Sequence, residues 1–297
     1  LVKQVMSPQA TAACPIGVFD SGVGGLTVLH ELLVRLPQED FVYLGDTARF
    51  PYGERRASEL CSFALEIADL LVRRGAKLLV VACNAATAAA LPALREYLAQ
   101  GADAVEVVGV VEPAARLAVQ ETRNGRVGLL ATPAAVASGA YDAAIRATGE
   151  WIELVSVPCP DLAPIIQSGF PFDQYVVDTV RSYCRPLREA GVDTVILGCT
   201  HYPLVAPMLR RMLGPEVALV ASGEATARTV QRALAARGLT NARRGEGDYR
   251  FLCTGDVESF RALGTRFLQM PLGQVDAVTV GPAEISQARP SATGALR

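Results

Sequence analysis

The sequence predicts an α/β fold built as two pseudosymmetric, doubly wound domains with mostly parallel sheets and the active site in the cleft between them. Three observations carry that expectation. Short runs of Val, Ile and Leu alternate with segments whose apolar residues fall at helical spacing, the signature of βαβ units. Strand-plus-turn segments recur at a nearly constant offset. The chain has 297 residues and 51% hydrophobic content, enough for one large or two ordinary domains with a sizeable core.

In chain order, the runs Ile16–Phe19, Phe41–Leu44, Lys77–Ala82, Val105–Val111, Arg126–Ala131, Ile152–Val157, Thr194–Leu197, Val217–Val220 and Arg250–Leu252 read as buried strands. Between them, Leu26, Leu29, Leu33 and Leu36, and then Leu60, Phe63, Ile67 and Leu71, mark the buried stripes of helices. The repeat shows in two pairs of segments. PIGVFDSG and RVGLLATP align Gly17 with Gly128, a shift of 128 − 17 = 111, while LLVVACNA and TVILGCTH align Cys83 with Cys199, a shift of 199 − 83 = 116. The half-repeats end near Pro215, yet strands and helices continue to Val280, so the last stretch is expected to rejoin the first domain. The expected division is 14–106 plus 217–283 for the first domain and 107–216 for the second, with 1–13 and 284–297 as mobile tails.

Composition narrows the partners. With 28 basic and 30 acidic residues the net charge is −2, and no basic stripe interleaves with aromatics, so neither nucleic acid nor a membrane surface is expected. No apolar run approaches the roughly 20 residues of a membrane span. The start of the chain lacks the layout of a secretory signal, which makes a cytoplasmic location the expectation. Seven scattered cysteines, without a CxxC pair, are not a disulfide framework, and with two histidines there is no zinc-ligand spacing. Neither a metal nor a cofactor is expected. A small molecule is the expected partner, and a homodimer is compatible with the sequence.

Ligands of parallel α/β sheets bind beyond the carboxyl ends of strands. After the first strand comes Asp20-Ser21-Gly22-Val23-Gly24-Gly25, a tight turn whose following helix start offers free N–H groups to an anion such as a carboxylate. The turn is not a Walker A loop. It also lacks the acidic residue on the next strand that a dinucleotide site requires. A second loop, Gly45 to Gly53, brings a hydroxyl at Tyr52 and an amide at Gly53 that can close over a small polar ligand.

Cys83-Asn84-Ala85-Ala86-Thr87 and Cys199-Thr200-His201-Tyr202 each place a cysteine at the end of a buried strand with polar groups behind it. A single buried cysteine is ordinarily inert core. Two at matching repeat positions indicate chemistry. A helix N-terminus is expected to draw a thiol pKa from about 8.5 towards neutrality. Equivalent thiols in two facing halves then approach one bound molecule from opposite faces, as inversion of a stereocentre requires. The weak acidity of an amino-acid Cα–H demands fixed donors around the carboxylate, for which Asn84, Thr87, Thr200 and the Ser21 and Gly53 amides are candidates. His201 is placed to keep the Cys199 thiol ionised or to balance substrate charge. His30, beside an apolar helical stripe, and Cys14, Cys61, Cys159, Cys184 and Cys253 are read as structural.

Together IGVFDSGVGGLTV, GDTARFPYG, VVACNAAT and VILGCTHYPL, in this order, resemble the glutamate racemase family of the bacterial aspartate/glutamate racemase superfamily, over about Pro15 to Val280. The resemblance implies a racemase without pyridoxal phosphate that makes D-glutamate for peptidoglycan synthesis. It implies Cys83 as base for the D-enantiomer and Cys199 for the L-enantiomer, with Asp20 and His201 assisting their respective cysteines. Substrate contacts are implied at Asp20, Ser21, Tyr52, Gly53, Asn84, Ala85, Thr200 and His201. Two positions depart from the family pattern. Ala85 stands where relatives place a threonine whose hydroxyl binds carboxylate, with Thr87 as a partial substitute, and Gln167 stands where relatives place a glutamate; Gln hydrogen-bonds but carries no charge. The competing readings are a relative acting on aspartate, hydantoin or maleate, a Cys–His hydrolase, and a regulatory binding protein on an inactive racemase scaffold.

Overall fold

The computed structural model describes residues 11–99, 104–169 and 173–281. Apart from 11–13, the expected tails at 1–13 and 284–297 lie outside the described residues. Among the described residues, ten strands form two sheets, all of whose pairings are parallel. They are β1 Ile16–Asp20, β2 Phe41–Gly45, β3 Leu78–Val81, β4 Glu106–Gly109, β5 Arg126–Ala131, β6 Glu153–Pro158, β7 Thr194–Gly198, β8 Ala218–Ala221, β9 Tyr249–Cys253 and β10 Val275–Ala277.

The first sheet runs β10-β9-β2-β1-β3-β4 and the second β6-β5-β7-β8. Stripped of β9 and β10, the two orders are the same, 2-1-3-4 against 6-5-7-8. The central strands β1, β3 and β7 are buried along their whole length, as continuous apolar runs covered on both faces must be. The repeat extends to the turns. Gly75 ends the helix before β3 with φ +86° and Gly191 ends the helix before β7 with φ +66°, a shift of 191 − 75 = 116 that matches the cysteine pair. Both are left-handed helix ends, which glycine adopts without steric cost.

The crossings between halves were expected near Val107 and Val217; Val107 falls inside β4 and Val217 immediately precedes β8, and each of these strands stays with the preceding half. β4 pairs with β3 in the first sheet, and β8 pairs with β7 in the second. Each half therefore closes one strand later than its sequence suggested. The reason is the βαβ crossover: the helix Asn84–Ala99 returns the chain to lay β4 beside β3, so the fourth strand completes each repeat. β9 pairs with β2, and β10 with β9, so the C-terminal stretch extends the first sheet.

In each sheet the strand order reverses between the first and third strands of the repeat, at β1/β3 and β5/β7. Helices leave the two flanking strands on opposite faces there, which opens a crevice at the carboxyl edge. Two such crevices, one per half, meet at Asp20-Ser21 and Cys83 on one side and Thr132 and Cys199 on the other. Among the described residues no helix is long and apolar enough to cross a membrane.

Candidate active site

The crevices enclose a cavity of about 130 Å³ bordered by Ser21, Tyr52, Gly53, Cys83, Asn84, Ala85, Thr132, Cys199, Thr200 and His201. Phe50, Pro51, Glu54, Pro160, Asp161, Ala163 and Pro164 complete its rim. Asp20 lies directly beneath, fully buried, with its Oδ2 accepting from the Gly22 and Gly25 N–H groups at 3.1 and 3.0 Å. Four hydrogen bonds join the halves around this cavity. The Thr200 hydroxyl donates to Asp20 Oδ1 at 3.4 Å, the Thr27 hydroxyl to the Thr200 carbonyl at 3.0 Å, the Tyr141 hydroxyl to Asn84 Oδ1 at 2.6 Å, and the Ala134 N–H to the Gly53 carbonyl at 2.8 Å.

The halves also meet with no spare space. A methyl group at Gly24 would lie 2.3 Å from the Thr200 hydroxyl and 2.4 Å from His201 Nδ1, so the turn after β1 carries glycine there because the Cys199 loop sits on its Cα.

Each cysteine has its own neighbour. The Cys83 thiol donates to Ser21 Oγ at 3.8 Å and lies beside Asp20; Cys199 Sγ is 3.8 Å from His201 Nδ1. The sequence led us to expect thiols of lowered pKa, and the structure reverses that direction. Burial pushes Cys83 up to about 12, with the Asp20 charge acting the same way, while the Ala86 and Ser21 N–H groups pull it down without prevailing. Burial raises Cys199 as well, against one backbone N–H bond from His201. Desolvation of a thiolate outweighs one or two amide donors. Asp20 is raised from its ordinary value for the same reason, and its backbone donors partly offset the rise.

His201 is enclosed by Phe50, at a ring separation of 5.6 Å, and by the edge of Phe267, at 5.1 Å. Burial lowers its pKa to about 3, so the ring is neutral and does not supply the positive charge that one of its expected roles called for. Its Nε2 donates to Gln167 Oε1 at 2.8 Å, because an amide oxygen only accepts. That fixes the tautomer and leaves Nδ1 as an acceptor facing Cys199.

The readings of two further residues are corrected. Thr87 does not reach the cavity: its hydroxyl donates to the Val81 carbonyl at 2.9 Å and accepts from Val110 N–H, tying β3 to the end of β4. It therefore supplies no substitute for the hydroxyl missing at Ala85. The Tyr52 hydroxyl proton is not offered to a ligand either, since it is donated to Asp46. Asp46 also receives Arg49 Nε at 2.6 Å and the Thr254 hydroxyl at 2.8 Å, which anchors the loop that carries Gly53.

Thr132 and Tyr141 were missed. The 111-residue shift carries Ser21 onto position 132, so the repeat held the signal for Thr132, obscured because Ser-Gly in one half is Thr-Pro in the other. His30 donates Nδ1–H to the Leu268 carbonyl at 2.9 Å, a structural contact outside the cavity. Cys14, Cys61, Cys159, Cys184 and Cys253 do not border the cavity.

A ligand cavity shared by two related halves at the carboxyl edges of two parallel sheets defines a two-domain α/β enzyme of the racemase type. The profile of the Asp/Glu/Hydantoin racemase family matches residues 27–230. The glutamate racemase of Geobacter metallireducens is 45% identical over 265 residues, 89% of this chain and 96% of the relative, and that of Acidothermus cellulolyticus 45% over 262 residues, 88% and 97%. Among solved structures, a glutamate racemase isoform of Bacillus anthracis superposes with TM-score 0.84 at 38% identity, covering 90% of this chain and 98% of that one. The Francisella tularensis glutamate racemase in complex with D-glutamate gives 0.83 at 32%, covering 91% and 98%. The chain belongs to the Asp/Glu/Hydantoin racemase family, and it is a racemase.

Proposed function

We propose that the chain interconverts L- and D-glutamate by proton transfer at Cα between two thiols, Cys83 and Cys199, acting from opposite faces of the substrate. The observation that carries this reading is the pair itself: matched cysteines at equivalent strand ends of two pseudosymmetric halves border a single small cavity. The naming of the relatives as glutamate racemases supports the substrate.

Burial favours the protonated form of both thiols, so a base must be generated on binding. The α-ammonium brings a positive charge into a dry site, which favours thiolate beside it. Cys83 can pass its proton towards Asp20, shifting a negative charge over a short distance. Cys199 can pass its proton to His201 Nδ1, forming a thiolate–imidazolium pair. The opposite cysteine, still a thiol, then delivers a proton to the other face. The carboxylate and the developing carbanion charge are met by the Asn84 amide NH2 and the backbone around Ser21, Gly53, Ala85 and Thr200. The D-glutamate produced serves peptidoglycan synthesis in this reading, and the protein works in the cytoplasm.

Incubating the protein with L- or D-glutamate in D2O tests this. The expected result is Cα deuterium incorporation together with decay of optical rotation to zero. Retention of both Cα hydrogen and optical rotation overturns the assignment of glutamate. Exchange with aspartate in its place favours the neighbouring substrate of the family.

A further inference from the structure

The geometry points to Tyr141 as a positioning residue that reaches over from the second half and fixes which end of the Asn84 amide is offered to the substrate, a role that rests on the glutamate reading above. Asn84 is the first residue of the helix after β3 and follows Cys83 directly; it borders the cavity and is 2% exposed. Its carbonyl oxygen is occupied by the Tyr141 hydroxyl at 2.6 Å, whereas its Nδ2 is buried and has no hydrogen-bond partner among the described residues. A buried amide donor left unpaired is costly, and in a native protein such a group calls for an explanation, a role at a binding or catalytic site among them.

A carboxylate completes this one, because an ionised carboxylate only accepts and the Asn84 NH2 group only donates. The reversed amide would turn its oxygen towards the carboxylate and repel it. The two orientations are nearly isosteric, so a specific partner must choose between them. Tyr141 makes that choice. Its hydroxyl is 57 positions away in sequence, on the helix Ala140–Arg146, and its ring is buried at 1% exposure. Burial holds the phenol well above its ordinary pKa, so it stays a donor. Because the bond spans the two halves, the productive amide orientation exists only when the halves are closed on each other. The missing hydroxyl at Ala85 leaves Asn84 with a larger share of carboxylate binding than a Thr-containing site would give it.

Tyr141→Phe keeps the ring and removes the bond. The expected result is a fall in kcat/KM for glutamate of roughly 10-fold, expressed mainly in KM, the scale of one hydrogen bond to a charged group. A double-mutant cycle gives a readout that loss of packing would not produce: in an Asn84→Ala background, Tyr141→Phe should have no further effect. An undiminished factor in that background, or an unchanged KM in the single variant, overturns the proposal. A substrate-independent measurement separates this from the glutamate reading. In 15N-labelled protein the Asn84 side-chain NH2 pair, assigned by its loss in Asn84→Ala, should shift and broaden in Tyr141→Phe; an unshifted, narrow pair overturns the proposal even if wild-type protein leaves glutamate untouched. Failure of wild-type exchange alone, with the NH2 pair responding as expected, removes the substrate assignment and leaves the positioning role standing.

Discussion

The two walls of the cavity share a backbone plan and differ in what stands behind each thiol. On the Cys83 side the last residue of β1 supplies a carboxylate, Asp20; its repeat partner on the other side is Ala131. On the Cys199 side the residue two places on is an imidazole, His201; its repeat partner is Ala85. Duplication thus preserved the strand-end cysteines and exchanged their helpers. The substrate is chiral, so its two faces never present the same groups to the two walls, and a strictly symmetric site would suit neither enantiomer. In the mechanism we propose, ionising Cys83 through Asp20 relocates an existing negative charge, whereas ionising Cys199 through His201 creates a charge pair in a cavity of low polarity. The second process depends more on fixed dipoles around it.

The most severe test removes the thiols. Cys83→Ser and Cys199→Ser are each expected to lower kcat by about 10³-fold, the usual scale for loss of a positioned acid or base, measured by circular dichroism and Cα deuterium exchange. Wild-type turnover in either variant would break the comparison outright, because one wall would then suffice.

The helpers come next. Asp20→Asn and His201→Gln are each expected to cost about 10²-fold in kcat, with different signatures in pH. Removing the Asp20 charge lowers the Cys83 pKa, since that charge raises it, so the limb of the kcat/KM profile that reports this thiol should move to lower pH. His201 also leaves a mark on stability. Its native pKa of about 3 lies below the ordinary 6.5, so between these values the unfolded chain binds a proton that the native protein refuses. Its contribution is complete above about pH 6.5 and is lost as the pH falls towards 3. His201→Gln should flatten that part of an acid-unfolding curve; an unchanged slope would show that the ring is not held neutral.

A smaller effect is expected from Gln167→Glu. A carboxylate 2.8 Å from Nε2 favours the imidazolium, so the His201 pKa should rise, the acid limb should move to higher pH, and kcat should increase several-fold. An identical profile would show that proton transfer at Cys199 bypasses the ring. The smallest change, Ala85→Thr, restores a hydroxyl beside Cys83 and should lower KM by about 2- to 5-fold, within the range of one exposed-to-buried hydrogen bond. A KM that rises instead would mean the 3%-exposed position has no room for the longer side chain.

Several of these positions could be read without coordinates. Cys83 and Cys199 stood out because a continuous apolar run stops at each, and because the repeat relates them. Asp20, Ser21, Gly53, Asn84, Thr200 and His201 followed from the same rule that ligands meet strand ends. Thr87 was misread for a reason specific to helices. Four residues beyond Cys83 it lies one turn along, and whether its hydroxyl faces the cavity or the strand beneath depends on the neighbouring β4, which covers it. Tyr52 lines the cavity, but its proton goes to Asp46, which leaves its oxygen to a ligand only as an acceptor.

Strand and helix order, the twofold repeat and the two strand-end cysteines are local or periodic properties, written in hydrophobic spacing and in motif offsets, and the sequence by itself determined them. Tertiary structure decided the rest. The fourth strand of each half is assigned by pairing; the direction of the thiol pKa shifts by how completely water is excluded; the His201 tautomer by Gln167; and the Asn84 amide by Tyr141. Each depends on groups from distant segments meeting in a space of low polarity, where a single partner or its absence outweighs the intrinsic preference of the residue.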